Sequence, residues 1–154
     1  MIEVREQVHI LRPQEDVFAF LTDLDNFMKW QEGLVAVELL VPGPWRAGTR
    51  IKTTHSLLLW KTLLDYSEIT HFEAGKGFRN RGDVGKTHYE EEFVLEPDSG
   101  GTLLKYTANI RAGGIFTYIQ PLAAWAFRQQ MKRSFRKLKL LLESSPLVAD
   151  AVAI

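Results

Sequence analysis

The chain has 154 residues, enough for one sizeable hydrophobic core and too few for two. Its 45% apolar and 25% charged residues match globular averages, which excludes a disordered or fibrous class. Lysine plus arginine total 19 and aspartate plus glutamate total 19, so no global charge draws the chain to nucleic acid or an anionic membrane, and such contact needs a local patch.

In chain order, Ile2, Val4, Val8 and Ile10 alternate with Glu3, Arg5 and His9, predicting a strand with one buried face and a shift near Glu6-Gln7. Pro13 suits the first helical position, and Glu15 and Asp16 put acids in a first turn, so a short helix carries Val17, Phe18 and Leu21 on one side. Asp23 to Asn26 cap a second short helix bearing Phe27 and Trp30, which Gly33 interrupts. Leu34 to Val41 is extended. After the Pro42-Gly43-Pro44 loop, Thr49 to Leu59 and Trp60 to Phe72 read as two strands with no strong turn signal between them. Further strands at Phe78 to Arg81, Lys86 to Leu95 and Thr102 to Arg111 are separated by Arg81 to Gly85 and Pro97 to Gly101. Such short connections favour an antiparallel meander. From Ile115 to Glu143 the period becomes helical, with a stripe through Ile119, Leu122, Ala126, Met131, Phe135, Leu138 and Leu142. Pro121 either kinks this helix or marks its true start, and Ser144-Ser145-Pro146 ends it before an eight-residue tail.

The absence of cysteine removes disulfides, thiolate nucleophiles and thiolate metal ligands together. The N-terminus lacks the basic start and apolar stretch of a secretory signal, and no run of about 18 apolar residues could span a bilayer. The expectation is a cytoplasmic chain without a transmembrane segment.

Several phrases carry a resemblance. Ile10 to Leu21 with Pro13, Val17 and Phe18, then Asp23, Asn26 and Trp30, resembles the opening of polyketide cyclase/dehydrase and lipid-transport domains, the START-like or SRPBCC superfamily. Gly48-Thr49-Arg50 is similar to their glycine-led third strand, Leu95-Glu96-Pro97 with Gly101-Thr102 to their late hairpin, and Leu138-Lys139 to Glu143 to their helix end. The resemblance covers residues 2 to 143. It implies an α+β helix-grip fold over residues 1–154 as one domain: a curved antiparallel sheet with two short helices wrapping a long C-terminal helix. It also implies a cavity for a small hydrophobic molecule such as a lipid, isoprenoid or polyketide-like compound. Binding proteins, transporters, cyclases and hydrolases share this scaffold, so the fold names no reaction.

Strand alternation then selects candidates. Ile51, Thr53, His55 and Leu57 share the cavity face if the sheet wraps one, which places His55 to bond a ligand carbonyl or to act as acid or base. Around His88, one register buries Tyr89, Glu91, Phe93 and Leu95 and exposes His88; the opposite register exchanges them. Tyr106 shares a face with Leu104, Ala108 and Ile110, and Phe78 with Asn80, while Arg79 and Arg81 point the other way. Tyr118, Leu122, Trp125 and Gln129 follow helical spacing beside the main stripe and would cap one end of the cavity, with Trp30 closing the other by family analogy. Core packing explains each of these as well.

Three readings follow. The first is a carrier or binding domain. The second is a cyclase or dehydratase with His55 as acid/base, Tyr106 as hydrogen-bond donor and Glu91 as second carboxyl. The third is a protein or membrane interaction module using the basic helix side of Arg128, Lys132, Arg133, Arg136, Lys137 and Lys139. No metal site is expected, since His9, His55, His71 and His88 lack paired spacing on one element. Neither a nucleophile elbow, a phosphate loop nor a dinucleotide fingerprint occurs, so no cofactor is expected and nucleic acid is not an expected partner.

Overall fold

A computed structural model describes residues 1–58 and 61–144. The expected strand junction at Leu59 and Trp60, the helix stop at Ser145-Pro146, the tail and the facing of the Leu57 side chain lie outside the described residues. In chain order the elements are β1 (Ile2–Ile10), α1 (Gln14–Leu21), α2 (Leu24–Trp30), β2 (Leu34–Leu39), β3 (Arg50–Leu58), β4 (Lys61–Glu73), β5 (Gly77–Val84), β6 (Thr87–Asp98) and β7 (Gly101–Arg111). A short 3₁₀ turn at Gly114–Thr117 and α3 (Gln120–Ser144) complete them.

All strand pairs are antiparallel, in the order β1-β7-β6-β5-β4-β3-β2. From β2 to β7 the chain is a meander, and α1 and α2 carry it from β1 at one edge to β2 at the other. The two short helices therefore close one end of the sheet. The curved sheet around a long C-terminal helix is the helix-grip fold.

Local chemistry explains most boundaries. Asp23 caps α2 by accepting from the Asp25 N–H at 3.0 Å. Pro121 sits in the first turn of α3, where its missing N–H costs nothing, so it marks the start and does not kink the helix. The β6–β7 hairpin turns through Ser99 and Gly100, both at positive φ, as a two-residue loop requires.

Three expectations are corrected. Residues Arg81 to Val84 belong to β5, which continues to a two-residue turn at Gly85 and Lys86; the turn chemistry of this stretch resides in Gly85 at φ 61°. There is no shift near Glu6-Gln7, because β1 pairs with β7 in unbroken register and Glu6 takes an inward position. Its side chain is 17% exposed, with the Lys132 Nζ of α3 at 4.0 Å. A charge occupies the inner face there because the helix supplies its counter-charge. Finally, Ile119, Leu122 and Ala126 leave the predicted helix stripe: they are exposed, whereas Ala124, Ser134, Phe135, Leu138 and Leu142 are buried.

The core runs along the inner sheet face. Val4, Ile10, Leu104, Ala108 and Leu138 are fully enclosed, and Val17, Phe18 and Leu21 of α1 pack into the same cluster. The C-terminal half of α3 is fastened to the chain that follows β1. Arg12 Nε donates to the Leu142 carbonyl at 2.6 Å, and the Leu11 N–H donates to Glu143 Oε1 at 3.0 Å. The helix rests mainly on β1 and α2, leaving space over the middle strands.

Candidate functional site

That space is a cavity of about 400 Å³ between the inner sheet face and α3. Aromatic rings from several elements wall it: Phe27 and Trp30 from α2, Trp45 from the β2–β3 loop, Phe78 and Phe93 from the sheet, and Phe127 from the helix. Ala123, Ala124 and Ala126 border it from α3, and their short side chains are the reason the helix can cross without filling the gap. Most of the surface presented to an occupant is apolar.

One region of the wall is polar. Thr53 on β3 lies opposite Asp65 on β4, and its hydroxyl donates to Asp65 Oδ2 at 3.2 Å. His55 Nε2 is 3.1 Å from the same Thr53 oxygen and 3.8 Å from Asp65 Oδ2. Since the one Thr53 proton goes to Asp65, the consistent tautomer has His55 Nε2–H donating to Thr53. Tyr89 on β6 donates to Asp65, its hydroxyl 2.8 and 2.7 Å from the two carboxylate oxygens. Beside this group, Asn80 Nδ2 donates to Glu91 Oε2 at 3.1 Å, and the Tyr106 hydroxyl donates to Glu91 Oε1 at 2.6 Å. Sheet register brings the two carboxylates together on one face of a cavity.

Burial pushes the Glu91 carboxyl above the ordinary glutamate range, against the pull of the hydrogen bonds from Tyr106 and Asn80. Burial likewise pushes the Tyr89 and Tyr106 phenols well above their usual value, with the negative Glu91 adding to the effect, so both remain donors. A raised folded-state pKa means that Glu91 contributes stability fully below the unfolded glutamate value and loses it as pH rises through the raised midpoint. Glu91→Gln cannot ionise, and a flipped Asn80 amide can accept from it. The variant should therefore gain stability relative to wild type as pH climbs from about 4 to about 7. Urea midpoints at the two ends check this, and a pH-independent gap would contradict it.

Gly82 is part of the same construction. It lies opposite Tyr89, and a methyl group there would overlap the Tyr89 phenol. The missing side chain is the seat across which the ring reaches Asp65 on the next strand. Gly82→Ala should cost about 1–3 kcal/mol by displacing the ring. In a Tyr89→Ala background the same substitution should be nearly neutral. Additive losses in this double-mutant cycle would refute the seating role.

The structure places the sequence candidates in two groups. Trp30, Ile51, Thr53, His55, Phe78, Asn80 and Glu91 all border the cavity. Tyr106 is 1% exposed and does not border it; its hydroxyl reaches the site by holding Glu91. Tyr118, Leu122, Trp125 and Gln129 do not border it either, and the first three are 87%, 63% and 59% exposed. The inward side of α3 is set one residue further round, at Phe127, Gln130, Met131 and Ser134. His88 faces outward and pairs with Asp83, which settles the register in favour of a buried Glu91. Sequence reasoning missed Asp65, the carboxylate at the centre of the polar group. Its signal was alternation with Leu63, Ser67 and Ile69 on β4, which puts an acid in phase with a buried isoleucine.

Two other features are not drawn into the site. A hollow of about 520 Å³ on the outer sheet face is walled by charges of both signs, and Arg81 and His88 there already pair with Glu68 and Asp83. On α3, Arg133 pairs with Glu32 at 2.7 Å, Lys139 with Glu143 at 2.8 Å, and Arg128 donates to the Glu3 carbonyl. Much of the basic helix side is thus engaged within the chain. Among the described residues, no cluster of three His, Asp or Glu side chains could hold a metal ion, and no helix is long and apolar enough to cross a membrane.

Sheet, helix and the aromatic-walled space between them define a helix-grip domain with a general hydrophobic-ligand cavity. The chain belongs to the polyketide cyclase/dehydrase and lipid transport family, whose sequence profile matches residues 1–143. Solved structures agree. TTHA0849 from Thermus thermophilus is 21% identical, with a TM-score of 0.73 over 93% of this chain and 99% of that one. A conserved protein from Geobacillus kaustophilus is 17% identical, with a TM-score of 0.77 over 92% and 95%. CV1439 from Chromobacterium violaceum is 16% identical, with a TM-score of 0.73 over 93% and 98%. At these identities the likeness concerns the fold. No curated protein sequence matches.

Proposed function

We propose that this protein binds one small, mostly apolar molecule of lipid, isoprenoid or polyketide-like kind between the sheet and α3. The observation that carries the reading is a cavity of about 400 Å³ with a mostly apolar, aromatic-walled lining and one polar region, where Asp65, Glu91 and His55 lie together. Apolar surface facing such a space gains free energy when a ligand covers it, and a few convergent polar groups fix the ligand's orientation. Native mass spectrometry of protein purified from its own source should show a small-molecule adduct that denaturation releases. A bare chain mass, together with refusal of a neutral apolar dye, would overturn the reading.

A second reading has one specific observation in its favour. Glu91 is a buried carboxyl with a raised pKa at the cavity wall, and His55 borders the same space, an arrangement suited to acid/base chemistry on a bound ligand. A cyclase or dehydratase would use these two groups, with Tyr106 as a positioning residue for Glu91. His55→Ala separates the readings: a carrier keeps ligand affinity and has no turnover to lose, whereas an enzyme loses turnover at similar affinity.

A further inference from the structure

The polar wall also specifies what kind of polar end an occupant brings. Among the described residues, no lysine or arginine borders the cavity. Residues 59–60 and 145–154 contain neither type. Asp65 and Glu91 border it together, with His55 beside them. Glu32 lies on the lining too, already paired with Arg133.

Four hydrogens of this wall are already directed at the two carboxylates: those of Thr53 and Tyr89 at Asp65, and those of Asn80 and Tyr106 at Glu91. What this part of the wall still offers is acceptors, because each carboxylate has lone pairs beyond the two hydrogens it receives. The contrary groups are neutral donors elsewhere on the lining, the amides of Gln31 and Gln130 and the hydroxyls of Ser56 and Ser134. A ligand hydroxyl can accept from one of these while donating to a carboxylate. A ligand carboxylate or phosphate would bring further negative charge into a low-dielectric space whose described lining already holds two acids and no fixed cation, a cost that neutral donors do not offset.

We infer that the cavity selects a ligand whose polar end donates hydrogen bonds and carries no negative charge, a hydroxyl or an amine on an apolar body, and rejects carboxylate- and phosphate-ended molecules of the same size. This rests on the cavity being the binding site, and goes beyond it by fixing the chemistry of the polar end.

The test uses three molecules with one aromatic body, naphthylethylamine, naphthylethanol and naphthylacetate, each competing at neutral pH with the neutral dye N-phenylnaphthylamine. The amine and the alcohol should displace the dye, and the carboxylate should be weaker on the order of tenfold or more. Asp65→Asn should narrow the amine-to-carboxylate ratio, and Glu91→Gln supplies the same comparison should the first variant fold poorly. Equal displacement by all three, stronger displacement by the carboxylate, or displacement by none would overturn the polar-end assignment. Failure of the dye itself to bind would overturn the cavity reading instead.

Discussion

Ala124→Trp should abolish ligand uptake while leaving the fold intact. Ala124 is 7% exposed, borders the cavity from α3, and has a methyl group where a larger side chain would enter that space. An indole there occupies volume that the ligand needs and buries its own apolar surface, so affinity for a neutral apolar dye should fall on the order of a hundredfold with Tm unchanged or raised. Leu122→Trp is the matched control. Leu122 is on the same helix but 63% exposed and away from the cavity, so binding should be unaffected. Dye titration of both variants decides the matter: equal affinities would mean that the ligand sits elsewhere.

Phe135→Ala should be the most damaging change to stability in this region. Phe135 is 2% exposed, and its ring stacks on Trp30 at 6.1 Å and meets Tyr106 edge-on at 5.6 Å. It therefore joins α3 to α2 and to β7. Removing the ring loses its burial and leaves a void that the braced neighbours cannot collapse into, at roughly 3–5 kcal/mol. For a chain of this size that is a fall in Tm on the order of 10 °C. Urea and thermal denaturation check it, and a loss below about 1 kcal/mol would show that Phe135 is not part of the rigid core.

These two residues show where sequence reasoning succeeded and where it failed. Phe135, Leu138 and Leu142 stood in a helical stripe because they pack against solid core, where burial and bulk go together. Over the cavity that coupling breaks. Along the first turns of α3 the cavity is bordered by Ala123 and Ala124, whose small size leaves the space open, while Leu122 and Trp125 are exposed. Bulk therefore points to the wrong side of the helix over those turns, whereas further along Phe127 and Met131 border the same space.

The sheet repeats the lesson. Alternation on β6 placed Tyr89, Glu91, Phe93 and Leu95 on one face, and that is the face turned inward. Asp65 went unseen because an acid in a strand reads as solvent-facing until the donors from Thr53 and Tyr89, distant in sequence, come together around it. Gly82 read as a turn because its reason for being glycine is a tyrosine on the next strand, not its own backbone angle. Inward polar groups such as Glu6 and Asp65 depend on partners that only the fold supplies.

The central claim is that a ligand enters the space between the inner sheet face and α3, and methyl-resolved NMR titration with naphthylethanol tests it most directly. The methyl signals of Ile51, Ile69, Ile110 and Ala124, which border the cavity, should shift together to a one-to-one endpoint. Those of the exposed Val35 and Leu64 should stay in place. Shifts confined to exposed methyls, or none at saturating ligand, would contradict the account.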